Sequence, residues 1–267
     1  MQKSDRLQWY KNKTVLVTGG TSGIGLEMVR QLAGLGTKVV FCGRDPQAIE
    51  SVSRATGADG LCVDLSRHEE LPRFLTALRA KYRIDILVNN AGLGDITDFC
   101  QADTQTLLSM QSVNMDAVVV LCRELLPEIS RQPGGGILNV GSVASFFPTP
   151  GSAVYGATKH FIAGFTDALH GELAGKGVHV TGIYPGKTSS RFLVRATRGK
   201  NADWDKAMAA DVVARAALSG LACNRIRVIP GLSNKVIVLI AKFLPTQILL
   251  RVTGVRTKSP SGQGGAS

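Results

Sequence analysis

The sequence predicts one α/β domain, built on a parallel, doubly wound, seven-stranded sheet with helices on both faces. Short β-type runs alternate with longer helical segments, which is the order that produces a parallel sheet. The strand runs are apolar throughout, as expected for strands covered on both faces. The first of them leads into a glycine-rich turn that opens a helix. A chain of 267 residues can bury one sizeable core, so no second domain is needed.

The predicted elements follow one another in regular alternation. We expect strands at residues 14–18, 39–42, 60–63, 85–88, 136–140, 178–183 and 225–229. We expect helices at residues 26–35, from 46 onward, and at 69–82, 104–128 and 152–174. Gly36 closes the first helix, and Asp45 caps the second, with Pro46 at its first position. The predicted divisions are a single domain at 1–231, an apolar basic helical extension at 232–255 and a flexible tail at 256–267.

The charge of the chain is concentrated at its two ends. The net charge is +11. Residues 1–13 contain four basic and one acidic residue, and residues 212–267 contain eight basic residues and no acidic one, so the region between is neutral. Basic ends are typical of contact with nucleic acid or an anionic membrane surface, and also of a solubilising tail.

Cysteine and histidine usage excludes two classes of protein. The five cysteines are scattered and form no CxxC pair, which favours a reducing compartment over a disulfide framework. The four histidines have no metal-ligand spacing, so no metal site is predicted. Because the first thirteen residues are polar, we expect no secretory signal and a cytoplasmic protein.

The glycine-rich turn after the first strand is a candidate phosphate-binding site. Its glycines permit a tight turn and a close backbone approach to phosphate, and the following helix offers N–H donors. A plain strand-to-helix turn is the alternative. The candidate cofactor-binding residues of the turn are Gly19, Thr21, Ser22, Gly23, Ile24 and Gly25.

The end of the second predicted strand indicates which dinucleotide binds. Many NAD-binding proteins have an acid here that accepts hydrogen bonds from the adenosine ribose. This chain has Gly43 at that position and Arg44 next to it. A guanidinium suits a 2′-phosphate, so the sequence favours NADP(H); a solvated loop charge is the alternative for Arg44.

Two later strand ends add candidate contacts to the cofactor. Asp64, followed by Leu65, is placed to accept a hydrogen bond from the adenine amine, and a turn cap is nearly as good an account of it. Asn90, Ala91 and Gly92 end the fourth strand at the carboxyl edge of the sheet, where ligands bind in open α/β folds.

A tyrosine and a lysine supply the candidate chemistry. Tyr155 and Lys159 are four residues apart, so they share one face of a predicted helix, and Ser142 precedes them by thirteen residues. A cation beside the phenol lowers its pKa from about 10 toward the range of a general acid. With a dinucleotide site earlier in the chain, this pair indicates carbonyl/alcohol redox chemistry.

Together these motifs resemble those of the short-chain dehydrogenase/reductase family. The similarity spans about residues 13–230, with order and spacing kept. It implies a Rossmann-type fold and an NAD(P)-dependent oxidoreductase. The family patterns TGxxxGxG, NNAG, YxxxK and PG are met at residues 18–25, 89–92, 155–159 and 185–186.

The resemblance also implies a role for each matching residue. Tyr155 exchanges a proton with the substrate oxygen, and Ser142 hydrogen-bonds that oxygen and stabilises its charge. Lys159 lowers the tyrosine pKa and holds the nicotinamide ribose, and Asn114 anchors a water in the proton relay. The contacts implied around the nicotinamide are Pro185, Gly186 and Thr188.

We therefore expect NADPH-dependent reduction of a ketone on a hydrophobic substrate of lipid, acyl or polyketide-like type. Two alternatives stay open. The same chemistry can run as alcohol oxidation, as in hydroxysteroid or retinol dehydrogenases. The fold can also serve as a catalytically silent nucleotide sensor or scaffold, which the intact catalytic set disfavours. A homodimer through the helices at 104–128 and 152–174 is the family expectation.

Two segments depart from the common family pattern. The turn after the sixth strand is followed by a basic cluster, formed by Lys187, Arg191, Arg195, Arg198 and Lys200. This cluster favours an anionic part of the substrate, such as a carrier phosphopantetheine or a lipid head group. A solvated mobile lid is the alternative explanation.

The second departure is an apolar basic tail at residues 232–252. Lys242 and Pro245 interrupt its apolar run, which makes it a poor transmembrane span. We expect an interfacial amphipathic helix, broken at Pro245, that brings the protein to an anionic membrane surface on the cytoplasmic side. A helix that covers the pocket or forms a dimer contact is the alternative. Because the tail has few polar and aromatic groups, no nucleic-acid binding is expected.

Overall fold

A seven-stranded parallel sheet forms the centre of the computed structural model, which describes residues 6–131, 134–196 and 207–254. The strands are β1 (Thr14–Thr18), β2 (Lys38–Gly43), β3 (Asp59–Cys62), β4 (Ile86–Asn89), β5 (Gly135–Val140), β6 (Val178–Ile183), β7 (Thr188–Ser189), β8 (Met208–Ala209) and β9 (Arg227–Val228). The strand order is β3-β2-β1-β4-β5-β6-β9, as expected for a Rossmann-type doubly wound sheet, so the predicted fold is confirmed. β7 and β8 form a separate small pair.

Helices cover both faces of this sheet. They are α1 (Gly23–Ala33), α2 (Pro46–Thr56), α3 (Glu70–Lys81), α4 (Thr104–Gln111), α5 (Ala117–Ile129), α6 (Ala153–Glu172), α7 (Arg191–Ala196), α8 (Ala210–Ala222), α9 (Leu232–Phe243) and α10 (Thr246–Gly254). One buried apolar cluster joins α1, α2 and α8 to one face, and a second joins α3, α5 and α6 to the other. This two-sided burial explains why the strands are apolar along their whole length.

The chain changes direction across the sheet between β1 and β4. β2 and β3 lie on one side of β1, and β4 pairs with its other side, with Val15 opposite both Val39 and Ile86. In open α/β sheets a crevice opens at this point, beyond the carboxyl ends of the strands. The glycine-rich turn after β1 and the loop after β4 both begin there.

Local signals set the start of α2 as predicted, whereas α1 ends at Ala33, before the predicted stop at Gly36. The Asp45 carboxylate accepts hydrogen bonds from the backbone N–H groups of Gln47 (3.0 Å) and Ala48 (3.3 Å), and Pro46 begins α2. Gly57, with a φ of 72°, ends that helix in the left-handed conformation. The predicted cap of α2 is therefore confirmed.

The chain is helical throughout the predicted helix at 104–128. A π-helical turn at Ser112–Asp116, which the prediction lacked, lies between α4 and α5. The sequence prediction also lacked α7, α8 and the short pair of β7 and β8.

The C-terminal extension is helical on both sides of Pro245, where α9 ends and α10 begins. No helix within the described ranges is both long enough and apolar enough to cross a membrane. The predicted flexible tail at 256–267 lies outside the described residues.

Candidate active site

The glycine-rich turn is fixed against the loop that follows β4. The Asn90 side-chain amide donates hydrogen bonds to the carbonyl oxygens of Thr18 (2.9 Å) and Gly19 (3.2 Å). Gly19 has a φ of 67°, and a Cβ on it would lie 2.9 Å from the Ala91 Cα. Glycine is therefore required for the turn to pack this closely. The turn is held in place before any ligand binds.

Gly43 leaves the adenosine side of the site without an acidic side chain at this position. A Cβ at Gly43 would lie 2.7 Å from the Thr21 methyl carbon, so a larger residue there would require the Thr21 side chain to move. Arg44 lines the same cavity with an exposed side chain. The arrangement removes the acid that binds a free ribose and leaves a guanidinium at its edge, which fits a 2′-phosphate.

Asp64 serves partly as the turn cap that the sequence left open. Its carboxylate accepts hydrogen bonds from the Ser66 backbone N–H (3.0 Å) and hydroxyl (2.7 Å). Burial raises the pKa of Asp64, but these bonds and the charges of Arg44 and Arg67 outweigh burial and lower the pKa below its ordinary value. The carboxylate stays ionised at the cavity wall, next to Leu65.

Ser142 lies two residues after the end of β5 and caps a short helical turn, Val143–Ser145. Its hydroxyl oxygen accepts a hydrogen bond from the Ala144 N–H at 3.2 Å. The Ser145 hydroxyl donates to the carbonyl oxygen of Lys159 at 2.7 Å. The turn that carries Ser142 is thereby fixed to α6 at Lys159.

Tyr155 and Lys159 lie on the cavity-facing side of α6, as the spacing predicted. The Lys159 ammonium is 5.8 Å from the centre of the Tyr155 ring and donates a hydrogen bond to the Val140 carbonyl oxygen at 2.9 Å. Burial lowers the pKa of Lys159 to about 8. Burial also raises the pKa of Tyr155, and a hydrogen bond with Ser142 opposes that rise. The pKa of Tyr155 in this structure therefore lies above its ordinary value, so the lowering predicted from Lys159 is not seen, and the hydrogen bond with Ser142 only limits the rise.

Asn114 lies in the π-helical turn and is buried. Its amide donates hydrogen bonds to the Leu93 carbonyl oxygen (2.9 Å) and the Thr158 hydroxyl (3.0 Å) and accepts one from the Leu93 N–H (2.8 Å). The side chain thus joins the loop after β4 to α6, beside Lys159. The anchoring of a water by Asn114 stays a prediction. Single π turns inside helices frequently occur at functional sites.

The segment after β6 covers the site. Pro185, Gly186 and Thr188 line the cavity, and the Thr188 hydroxyl donates to the Gly186 carbonyl oxygen at 3.1 Å. Ser190 reaches the glycine-rich turn, since a Cβ at Gly23 would lie 3.0 Å from its Cβ. In the predicted basic cluster, Lys187 lines the cavity and is exposed. The side chains of the other four, Arg191, Arg195, Arg198 and Lys200, lie outside the described part of the chain.

One cavity of about 400 Å³ collects almost every predicted site residue. The two exceptions are Gly25 and Asn114, which lie behind the residues that line the cavity. Gly25 packs against the Asn90 side-chain amide, since a Cβ at Gly25 would lie 2.3 Å from the Asn90 Nδ2. The sequence analysis missed the apolar wall around Tyr155, which is formed by Leu93, Gly94, Ile96, Val143 and Phe192. These residues follow strand ends without a spacing signal, so the folded chain was needed to identify them.

Phe192 is the large side chain of this wall. Its ring centre is 5.8 Å from that of Tyr155, and a Cβ at Gly94 would lie 2.6 Å from its Cζ. The Ile96 N–H donates to the Ala196 carbonyl oxygen at 2.9 Å, which ties α7 to the loop after β4. The loop after β4 and α7 thus enclose the part of the cavity that contains Tyr155.

This geometry defines a dinucleotide-dependent oxidoreductase. The crevice beyond β1 and β4 has a fixed glycine-rich turn and room for a cofactor, and its far end holds a serine, a tyrosine and a buried lysine. The residues present therefore fit a nicotinamide dinucleotide. The profile of the short chain dehydrogenase family matches residues 13–201, and the chain belongs to that family.

The comparisons with individual proteins agree with this assignment. Serine 3-dehydrogenase of Agrobacterium fabrum is 35% identical over 190 residues, which cover 70% of this chain and 76% of the relative. A short-chain dehydrogenase from Sphingobium yanoikuyae in complex with NADPH has a TM-score of 0.76 and 28% identity, covering 96% of this chain and 98% of the other. The 3-ketoacyl-(acyl-carrier-protein) reductase of Brucella melitensis, complexed with NADH, has a TM-score of 0.74 and 28% identity, covering 83% and 98%. The NADPH complex supports the predicted cofactor, NADP(H).

Proposed function

We propose that this enzyme reduces a ketone on a hydrophobic substrate to a secondary alcohol, with NADPH as the reductant. The observation that carries the proposal is the convergence of Ser142, Tyr155 and Lys159 on one apolar-walled cavity that also contains the glycine-rich turn. When bound, the dinucleotide supplies the hydride that reduces the carbonyl carbon. The protein supplies the proton, the position of the substrate and the exclusion of water.

Tyr155 is the proton donor in this proposal. A phenol whose pKa is raised by burial holds its proton at neutral pH and can deliver it to the carbonyl oxygen as charge develops there. Ser142 hydrogen-bonds the same oxygen and also the resulting phenolate. The ammonium of Lys159, held by Val140, provides positive charge beside the ring when the phenol has lost its proton.

The wall opposite Tyr155 supports a hydrophobic substrate. Leu93, Ile96, Val143 and Phe192 present carbon atoms to the space next to the reacting oxygen. A small polar substrate would leave this surface in contact with water, whereas a lipid, acyl or polyketide-like chain would cover it. The similarity to a 3-ketoacyl-(acyl-carrier-protein) reductase favours this class of substrate. The similarity to serine 3-dehydrogenase favours the alternative, a small polar substrate.

Arg44 supports NADPH over NADH. Arg44 lines the cavity next to Gly43, the position at which an acid would otherwise bind the ribose, and its guanidinium suits a 2′-phosphate. Oxidation of an alcohol with NADP is the same chemistry in reverse, and the direction depends on the substrate supplied. A silent nucleotide sensor is disfavoured because the polar partners of every catalytic side chain are in place.

Two further expectations belong to this proposal. A homodimer would form through the segment from α4 to α5 and through α6. Residues 232–252 would attach the enzyme to an anionic membrane surface, and since no helix in the described ranges can cross a bilayer, attachment would be interfacial.

The test is the replacement of Tyr155 by phenylalanine. NADPH oxidation is measured with a panel of aryl and long-chain alkyl ketones, and NADPH binding is measured by titration calorimetry. We expect kcat to fall by at least about 100-fold, the usual minimum for a general acid, with NADPH affinity unchanged. A variant that retains a tenth of the wild-type kcat would refute the role of Tyr155. A wild-type protein that binds NADPH but turns over no ketone or alcohol would favour the silent sensor.

A further inference from the structure

The apolar side of α9 faces away from the protein. Leu232, Val236, Leu239 and Phe243 are spaced by four, three and four residues, so they form one stripe, which we call the outer stripe. All four are exposed, Leu232 to 77% and Phe243 to 75%. On the opposite side, Ala241 is only 7% exposed. A surface helix normally has the reverse arrangement, so the outer stripe requires a cover.

The charges beside the outer stripe indicate the nature of that cover. Lys235 and Lys242 are exposed and lie seven residues apart along one flank of the stripe. Arg251 adds an exposed charge on α10, and the sequence has no acidic residue after Asp211. A second copy of α9 would bring like charges together, whereas an anionic lipid surface is complementary to them.

α9 and α10 each contact a loop that borders the cavity, α9 near its start and α10 at its end. The Asn234 side chain packs against Gly186, because a Cβ at that glycine would lie 2.5 Å from the Asn234 Oδ1. The end of α10 meets the loop between Ser142 and Tyr155, where a Cβ at Gly254 would lie 4.0 Å from the Pro150 Cγ. A surface that covers the outer stripe therefore lies close to the two loops that enclose the substrate.

We propose that α9 lies in the head-group region of an anionic bilayer, with the outer stripe inserted among the acyl chains and Lys235 and Lys242 at the phosphates. The cavity then opens beside the lipid, and the substrate is a ketone dissolved in the membrane. The substrate statement rests on the proposed reaction, whereas the attachment rests on α9 alone. The two parts therefore fail in separate experiments.

The experiment measures the partitioning of the full chain onto vesicles of phosphatidylcholine with and without phosphatidylglycerol. We expect binding to the anionic vesicles that weakens as salt is added. The double variant Leu239→Asn/Phe243→Asn should bind at least about tenfold more weakly, because it removes two large inserted side chains. Lys235→Gln and Lys242→Gln should each weaken binding roughly fivefold and reduce its salt dependence. The matched control is Val212→Asn, which changes an apolar side chain on α8 that is 49% exposed, and this variant should bind like the wild type.

Three results would overturn the attachment. Failure of the wild type to bind anionic vesicles at low salt would refute the attachment. Undiminished binding by the Leu239/Phe243 variant would show that another surface is responsible. If that variant instead changes the oligomeric state in sedimentation and the wild type ignores vesicles, a second copy covers the outer stripe. Turnover of a water-soluble ketone should be equal in all these variants, which separates a failure of attachment from a failure of the proposed reaction.

Discussion

Replacing Lys159 with methionine is expected to stabilise the ligand-free protein while abolishing its activity. The Lys159 side chain is 5% exposed, and burial lowers its pKa from 10.5 to about 8. At neutral pH the folded protein therefore holds a buried ammonium group that is better solvated in the unfolded chain. Methionine has a similar length and no charge, so it removes this cost and the hydrogen bond to Val140 together.

The size of the effect follows from the two pKa values. Because the folded chain has the lower pKa, it binds fewer protons between about pH 8 and pH 10.5, and its stability rises with pH across that window. Burying the ammonium costs about 3 kcal/mol at pH 7 and roughly half as much at pH 9.5. Loss of the hydrogen bond to Val140 offsets about 1 kcal/mol of this gain. The variant should therefore be about 2 kcal/mol more stable at pH 7, and most of this advantage should disappear at pH 9.5.

The assay is urea unfolding of the ligand-free wild type and variant at equal protein concentration, at pH 7 and at pH 9.5. The change in their difference between the two pH values reports the ionisation of Lys159, since the packing of the two side chains contributes equally at both. Lys176→Met, at an exposed position after α6, is the control and should show no such change. If the stability difference between wild type and Lys159→Met is the same at both pH values, the buried charge carries no cost and the reasoning is wrong.

Two other predictions concern the two ends of the cavity. Arg44→Ala should weaken NADPH binding by roughly 1.5–3 kcal/mol and leave NADH binding nearly unchanged in titration calorimetry; equal losses for both cofactors would exclude a 2′-phosphate contact. Gly94→Ala should displace Phe192, because the new Cβ falls 2.6 Å from its Cζ, and should lower kcat/KM for bulky ketones roughly tenfold without changing NADPH affinity. Adding Phe192→Leu should restore kcat/KM, and failure of that rescue would contradict the contact.

The fold and the chemical groups could be predicted because their determinants are local. The turn at Gly19 requires glycine for a backbone φ of 67°, and α2 begins at a proline preceded by a capping aspartate. Tyr155 and Lys159 are four residues apart in one helix, so they share a face of α6 wherever that helix packs in the fold. Each of these constraints acts over a few residues, so it leaves a readable pattern in the sequence.

The errors arose where distant residues decide the outcome. The helix at 104–128 contains a π turn at Asn114, whose side chain binds Leu93 and Thr158, and neither partner is near it in sequence. The pKa of Tyr155 depends on its burial and on Ser142, rather than on the cation four residues away. Sequence spacing identified the participants, but the balance between burial and charge required the folded structure.

The substrate is determined by a part of the structure that is separate from the chemistry. Ser142, Tyr155 and Lys159 are held by β5 and α6, through bonds to Ala144 and Val140 that do not involve the outer loops. Most of the apolar wall instead comes from the loop after β4 and from α7, where Phe192 packs on Gly94, and Val143 alone belongs to the turn that Ser142 caps. In the proposed reaction, we therefore expect substitutions in the loop after β4 or in α7 to change which ketone is accepted while Tyr155 keeps its position. The same separation explains why the motifs identify the family and the cofactor, whereas substrate choice depends on contacts that carry no motif.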